Sequence, residues 1–187
     1  MSVYINEDLI SAHDGTNFVI IKETKTSIED GESQYTISHL KYKQDTIHRF
    51  YNSATSAKVK VGDCTDCGFD ASGFDGVVWG DILVLGLGLG VVPQYIKNVK
   101  GPTSVDVIEE DAEIVSTVDW LHNDINVITH DEWSYTTSKE YDLIIADLWA
   151  EPDDVSDDHK TTLVNNYSNN LKTGGKIIIP ISGDVIS

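Results

Sequence analysis

Four stretches of this chain put glycine or carboxylate where a fold could use them on a ligand. Gly86, Gly88 and Gly90 stand in GLGLG, directly after an apolar run and ahead of a helix-forming stretch. Glycine there lets the backbone turn sharply and approach a ligand closely. Glu109, nineteen residues beyond Gly90, closes SVDVIE and is followed by Glu110 and Asp111. A carboxylate at that spacing accepts the hydroxyls of a ribose. Its bland alternative is to polarise the following helix, and Asp111 reads as that helix's cap. Asp131, in THDEW, can accept from the exocyclic amine of a purine, with Trp133 stacked on the ring. Equally, Asp131 can cap a turn and Trp133 can be a core ring. His130 reads as a loop histidine rather than a base. Asp147, in ADLWAEPDD, can bind a cationic group, take a proton from an amine, or cap the loop after it.

Cys64 and Cys67 form a lone C-T-D-C with no second pair and no histidines at ligand spacing. They read as reduced thiols in a loop, and no metal site is expected.

These residues need a frame that brings distant stretches to one edge. NFVIIKET (17–24), SQYTISHLKY (33–42) and DTIHRFY (45–51) are rich in β-branched and aromatic residues, and AKVKVG (57–62) is a further candidate strand. They predict a small hairpin or meander region within residues 1–76. A glycine-rich, acidic loop (67–76) follows, in which Gly-Phe-Asp occurs twice. From there apolar runs alternate with helical stretches. Strands are predicted at 77–86, 103–108, 125–129, 141–148 and 176–181, and helices at 87–99, 111–122 and 154–171. Gly101-Pro102 stops the first helix and Gly174-Gly175 the last. The strands lack polar alternation, so both sheet faces should be covered. Alternation of strand and helix implies a parallel sheet with right-handed crossovers. The expectation for 77–187 is therefore an α/β, doubly wound, Rossmann-like domain, whose ligands bind at the carboxyl ends of the strands.

The charge narrows the partners. The 187 residues hold 31 acids and 13 bases, a net of −18. Residues 1–60 carry 8 acids and 7 bases, so nearly all of the excess lies beyond them. Nucleic-acid backbone and anionic membrane both want a cationic surface, so neither is an expected partner. A cationic small molecule is compatible with the field. The N-terminus lacks a basic stretch followed by an apolar one, and no apolar run nears the ~20 residues of a membrane span. A cytoplasmic location is the expectation.

In their order, DILVLGLGLG, VDVIEED, NVITHDEW, YDLIIADLWAEP and LKTGGKIIIP resemble the motifs of class I S-adenosylmethionine-dependent methyltransferases, and within them the spermidine synthase-like branch. The resemblance covers about half the chain strongly. It implies a Rossmann-like sheet and S-adenosylmethionine, or its decarboxylated form, as cofactor. It implies that Gly86, Gly88 and Gly90 line the methionine and ribose portion, Glu109 holds the ribose, Asp131 the adenine amine and Asp147 the reacting end. The strand-rich N-terminal part resembles the small β-domain of aminopropyltransferases. Two positions depart from that branch: Leu89 and Ala150 stand where it carries aspartates. The chain stops soon after the expected fifth strand, so the domain reads as truncated, with a sheet edge free to pair in a homodimer. Four readings follow. They are a methyltransferase acting on a small molecule, an aminopropyltransferase, a nicotinamide-dependent oxidoreductase, and a non-catalytic scaffold on the same fold. Val91, where the nicotinamide fingerprint has glycine, disfavours the third.

Overall fold

β-Branched and leucine side chains with almost no polar interruption make β4 (Asp81–Leu85), β5 (Ser104–Glu109) and β7 (Tyr141–Ala146) the buried centre of a sheet. The computed structural model describes residues 13–14, 18–26, 34–42, 77–149, 152–180 and 182–186. β6 (Ile125–Thr129) lies outside β5 as an edge strand, and β8 (Leu171–Ile179) lies outside β7. These five strands are parallel. A sixth, β9 (Asp184–Ile186), returns antiparallel along β8, giving the order β6-β5-β4-β7-β8-β9.

That last strand corrects the expectation that the sheet stops at its fifth. Gly183, at φ 72°, turns the chain, and its N–H donates to the Ile179 carbonyl at 3.0 Å. Val185 then lies opposite Ile178. Three residues carry no readable period; the open edge of β8 makes them a strand.

Helices cover both faces. On one, α1 (Val91–Lys100) and α2 (Ala112–Thr117) bury Val92, Ile96 and Ile114 against Ile82, Val84, Val105 and Val107. On the other, Leu163 and Tyr167 of α3 (Asp157–Tyr167) pack on Leu83, Leu85, Ile144 and Ile177. Boundaries differ from the sequence reading in three places. α1 begins after Gly90, because Leu87–Gly90 are spent on a loop. α2 closes at Thr117, yet Val118 and Leu121 still reach the same core, so the apolar spacing was right and the helix length was not. Gly174-Gly175 does not end a helix. α3 is followed by a 3-10 turn (Ser168–Asn170), and the two glycines lie inside β8. They absorb a bulge: Tyr141 pairs with Leu171, but Leu143 pairs with Lys176. Gly174 takes φ 81°, and a Cβ on Gly175 would stand 3.0 Å from the carbonyl oxygens of Lys172 and Tyr141.

In the N-terminal part, β1 (His13–Asp14), β2 (Phe18–Thr26) and β3 (Gln34–Tyr42) form an antiparallel sheet in that order. Ile20 of β2 is buried in the core cluster shared with α1 and α2. The strands expected at 45–51 and 57–62, the Cys64–Cys67 pair and the loop 67–76 lie outside the described residues.

Candidate functional site

β4 and β7 are neighbours whose helical crossovers leave in opposite directions, so their carboxyl ends flank the reversal in strand order. That is where a crevice opens in a doubly wound sheet. The glycine loop leaves β4 there. Gly86, Gly88 and Gly90 take φ of 90°, 52° and 73°, the left-handed region that other residues avoid. At Gly86 the space is closed as well, since a Cβ would stand 2.5 Å from the Asp147 carbonyl oxygen. At Gly90 it would stand 2.6 Å from Leu121 Cδ2, which ties the loop to the segment after α2. Trp120 Nε1 donates to the Leu89 carbonyl at 3.1 Å and holds the loop from the same side.

Glu109 ends β5 beside this loop. Its Oε2 accepts from the Leu87 N–H and its Oε1 from the Asp111 N–H, each at 2.9 Å. The carboxylate thus braces the loop and the start of α2 together. It is only 4% exposed, and burial raises its pKa against the lowering by these N–H donors. With the Gly88 N–H also acting on it, the carboxylate still keeps acceptor capacity for a ligand hydroxyl. Asp111 caps α2 as expected, accepting from the Glu113 N–H at 2.8 Å.

Asp131 follows β6 and is exposed. Oδ1 accepts from the Trp133 N–H at 2.9 Å and Oδ2 from the Ser134 hydroxyl at 2.8 Å, so it does cap a turn. These bonds hold its pKa below the usual carboxylate value. His130 is exposed and meets Tyr135 edge-on at 5.5 Å. Trp133 packs against the core on the α3 side and meets Trp149 edge-on, with centroids 6.0 Å apart.

Asp147 follows β7, and its N–H still donates to the Leu85 carbonyl at 2.9 Å. Among the described residues its carboxyl has no hydrogen-bond or charge partner, and desolvation pushes it up to about 6. The structure therefore brings the glycine loop, Glu109 and Asp147 to adjacent strand ends, with Asp131 one strand further out.

Three residues here were not singled out from the sequence. Glu132 is 5% exposed, its Oε1 accepts from the Glu110 N–H at 3.2 Å, and burial beside Glu109 and Glu110 pushes it up to about 7. It, Glu110 and Asp131 bring carboxylate oxygens within 4.8 Å of one another. Trp149 and His159 close the α3 side. Adjacency to Asp131 and Asp147 was the available signal for Glu132 and Trp149. His159 gave none, because it reaches the site by packing of the first turn of α3.

No protein-family model matches the chain, and no curated protein matches it. Solved structures do. A S-adenosylmethionine-dependent methyltransferase from Clostridium acetobutylicum ATCC 824 is similar with a TM-score of 0.50 and 19% identity, over 71% of this chain and 55% of that one. The glycopeptide N-methyltransferase MtfA is similar with a TM-score of 0.50 and 15% identity, over 63% of this chain and 53% of that one. The chain spans just over half the length of these structures. The likeness shows a Rossmann-like fold of the methyltransferase type. No helix among the described residues is long and apolar enough to cross a membrane.

Proposed function

We propose that this chain binds S-adenosylmethionine at the β4–β7 crevice and belongs to an enzyme that transfers its methyl group to a small molecule. The observation that carries the reading is the Asp147 carboxyl, unpartnered among the described residues, beside a loop of three left-handed glycines. A partly buried carboxyl without a partner is poorly solvated, and a ligand that supplies a donor or positive charge relieves that. The two similar structures carry this cofactor's chemistry in their names, which supports the same choice here.

The chain's residues divide the work. The left-handed glycines let the loop turn tightly at the end of β4, so that its backbone approaches the ligand. Glu109 accepts the ribose hydroxyls with the lone pairs its N–H bonds leave free. Asp131, exposed one strand out, accepts from the adenine amine. The sulfonium supplies an electrophilic methyl, so alignment rather than activation is the protein's main contribution. Asp147 orients the acceptor and takes the proton it releases as it gains the methyl carbon, then returns that proton to water. A carboxyl at about 6 is ionised at neutral pH and is a better base than an ordinary aspartate.

Methyl transfer is favoured over aminopropyl transfer by Leu89. It occupies a position where the aminopropyltransferase pattern carries an aspartate, and it is buried in the core cluster. Calorimetric titration with S-adenosylhomocysteine tests the reading. Micromolar binding is expected, weakened about tenfold by Glu109→Gln, the loss of one charge-assisted hydrogen bond. Absence of heat at millimolar ligand overturns it.

A further inference from the structure

Trp133, Trp149 and His159 come from three different elements, the ends of β6 and β7 and the first turn of α3. Their ring centroids form a near-equilateral triangle, with sides of 6.0, 5.7 and 5.4 Å. The two tryptophans stand at 66° to each other, and the imidazole is tilted 34° and 38° from them. Two walls at a steep angle with a third ring tilted between them make a corner. Nothing fits between rings this close. A small group riding roughly 4 Å above the triangle would lie within about 6 Å of every centroid, inside the range of cation–π attraction.

The corner is held rigidly. The Trp133 N–H donates to Asp131 Oδ1, and its carbonyl accepts from Asn166 Nδ2 at 2.7 Å. Tyr167 OH donates to the neighbouring Glu132 carbonyl, so α3 grips this loop twice. His159 is fixed by the capping box it shares with Ser156. All three rings remain partly exposed, while both tryptophans pack on their inner side against the core.

The charge around the corner is negative. Asp147 lies two residues before Trp149, and Asp153 and Asp154 stand exposed in the 3-10 turn that leads to α3. No lysine or arginine pairs with any of these three among the described residues. An aromatic corner attracts a cation to its ring faces, and a carboxylate field selects cations over neutral molecules of the same shape.

We propose that the Trp133–Trp149–His159 corner is part of the acceptor subsite and that it holds a small alkylammonium group of the acceptor on its ring faces, in the carboxylate field of Asp147, Asp153 and Asp154, while a second, nucleophilic atom of the same molecule receives the methyl group. This deepens the methyl-transfer reading and rests on it, since it assigns the acceptor of that same crevice.

The test uses the full chain saturated with S-adenosylhomocysteine and two probes of equal shape, choline and its neutral isostere 3,3-dimethylbutan-1-ol. Calorimetry and tryptophan fluorescence read the binding. Choline is expected to bind at least about tenfold tighter than the isostere. Trp149→Leu should remove most of that preference, while Trp149→Phe keeps a ring and most of it. S-adenosylhomocysteine binding is titrated separately for each variant, and the probe ratio is read with each variant saturated by it. Equal binding of the two probes, no choline binding at 50 mM (roughly the affinity that a single desolvated cation–π contact would give), or an unchanged preference in Trp149→Leu overturns the proposal. If Trp149→Leu does not fold, the ratio of the two probes on the unaltered chain decides alone. Choline selectivity without S-adenosylhomocysteine binding would sink the methyl-transfer reading and not the cation site. S-adenosylhomocysteine binding without selectivity would sink the cation site alone.

Discussion

Glu132 is the residue whose environment most changes its chemistry. Burial beside Glu109 and Glu110 pushes it up to about 7, so the folded protein keeps a proton there that the unfolded chain releases near 4.5. A raised carboxyl works against folding once it must ionise, so this contribution to stability is present below pH 4.5 and is lost as pH rises through about 7. Asp147, pushed up to about 6, acts in the same direction, and the raised Glu109 does too. Melting temperature is therefore expected to rise as pH falls from 8 to about 5.5. Glu132→Gln should flatten this slope and stabilise the protein at pH 8 by on the order of 1–3 kcal/mol. Thermal melts of the two proteins at five pH values check it, and a variant that melts in parallel with the parent at every pH would contradict it. Adjacency to Asp131 was visible in the sequence; the burial that sets the proton was not.

At the scale of elements, the amino-terminal ends of the strands are laced by a polar network far from the crevice. Asp106 on β5 accepts from Lys139 Nζ at 2.8 Å, Asn126 Nδ2 at 2.9 Å and Tyr141 OH at 3.0 Å, joining β6 and β7 to the sheet's middle. Lys172 on β8 reaches both Asp81 on β4 and Asp142 on β7. Gly80 leaves the room for this, since a Cβ there would collide with the Asp142 carboxylate. Asp106→Asn removes an acceptor that Lys139 and Tyr141 both use, and should cost about 2–3 kcal/mol in urea unfolding while leaving ligand titrations unchanged. The lowered pKa of Asp106 adds that its stabilisation is present above about pH 4 and is lost only in stronger acid. The elements themselves were largely legible. Five parallel strands, three helices, the Asp111 cap and the Gly101 stop follow from apolar runs and local capping chemistry. The bulge at Gly174-Gly175 and the strand β9 were not legible. Both exist because a neighbouring strand offers hydrogen-bonding groups, which a one-dimensional pattern does not contain.

For the whole molecule the governing quantity is the net charge of −18. Packed into one fold, that excess repels itself, and salt screens the repulsion over a Debye length of about 8 Å at physiological ionic strength. Melting temperature is expected to rise between 20 mM and 1 M sodium chloride, by roughly several degrees if 1–2 kcal/mol is recovered. A flat or falling melting temperature across that range would contradict it. Residue types and their order determined the sheet, the glycine loop and which carboxylates end which strands, because period and turn chemistry are local properties of a chain. Only the tertiary structure decided what those groups meet. It turned Glu109 onto the Leu87 and Asp111 N–H groups, left Asp147 without a partner among the described residues, and drew His159 across from α3 to Trp133 and Trp149. These outcomes depend on contacts between residues far apart in sequence, and packing, not pattern, chooses them.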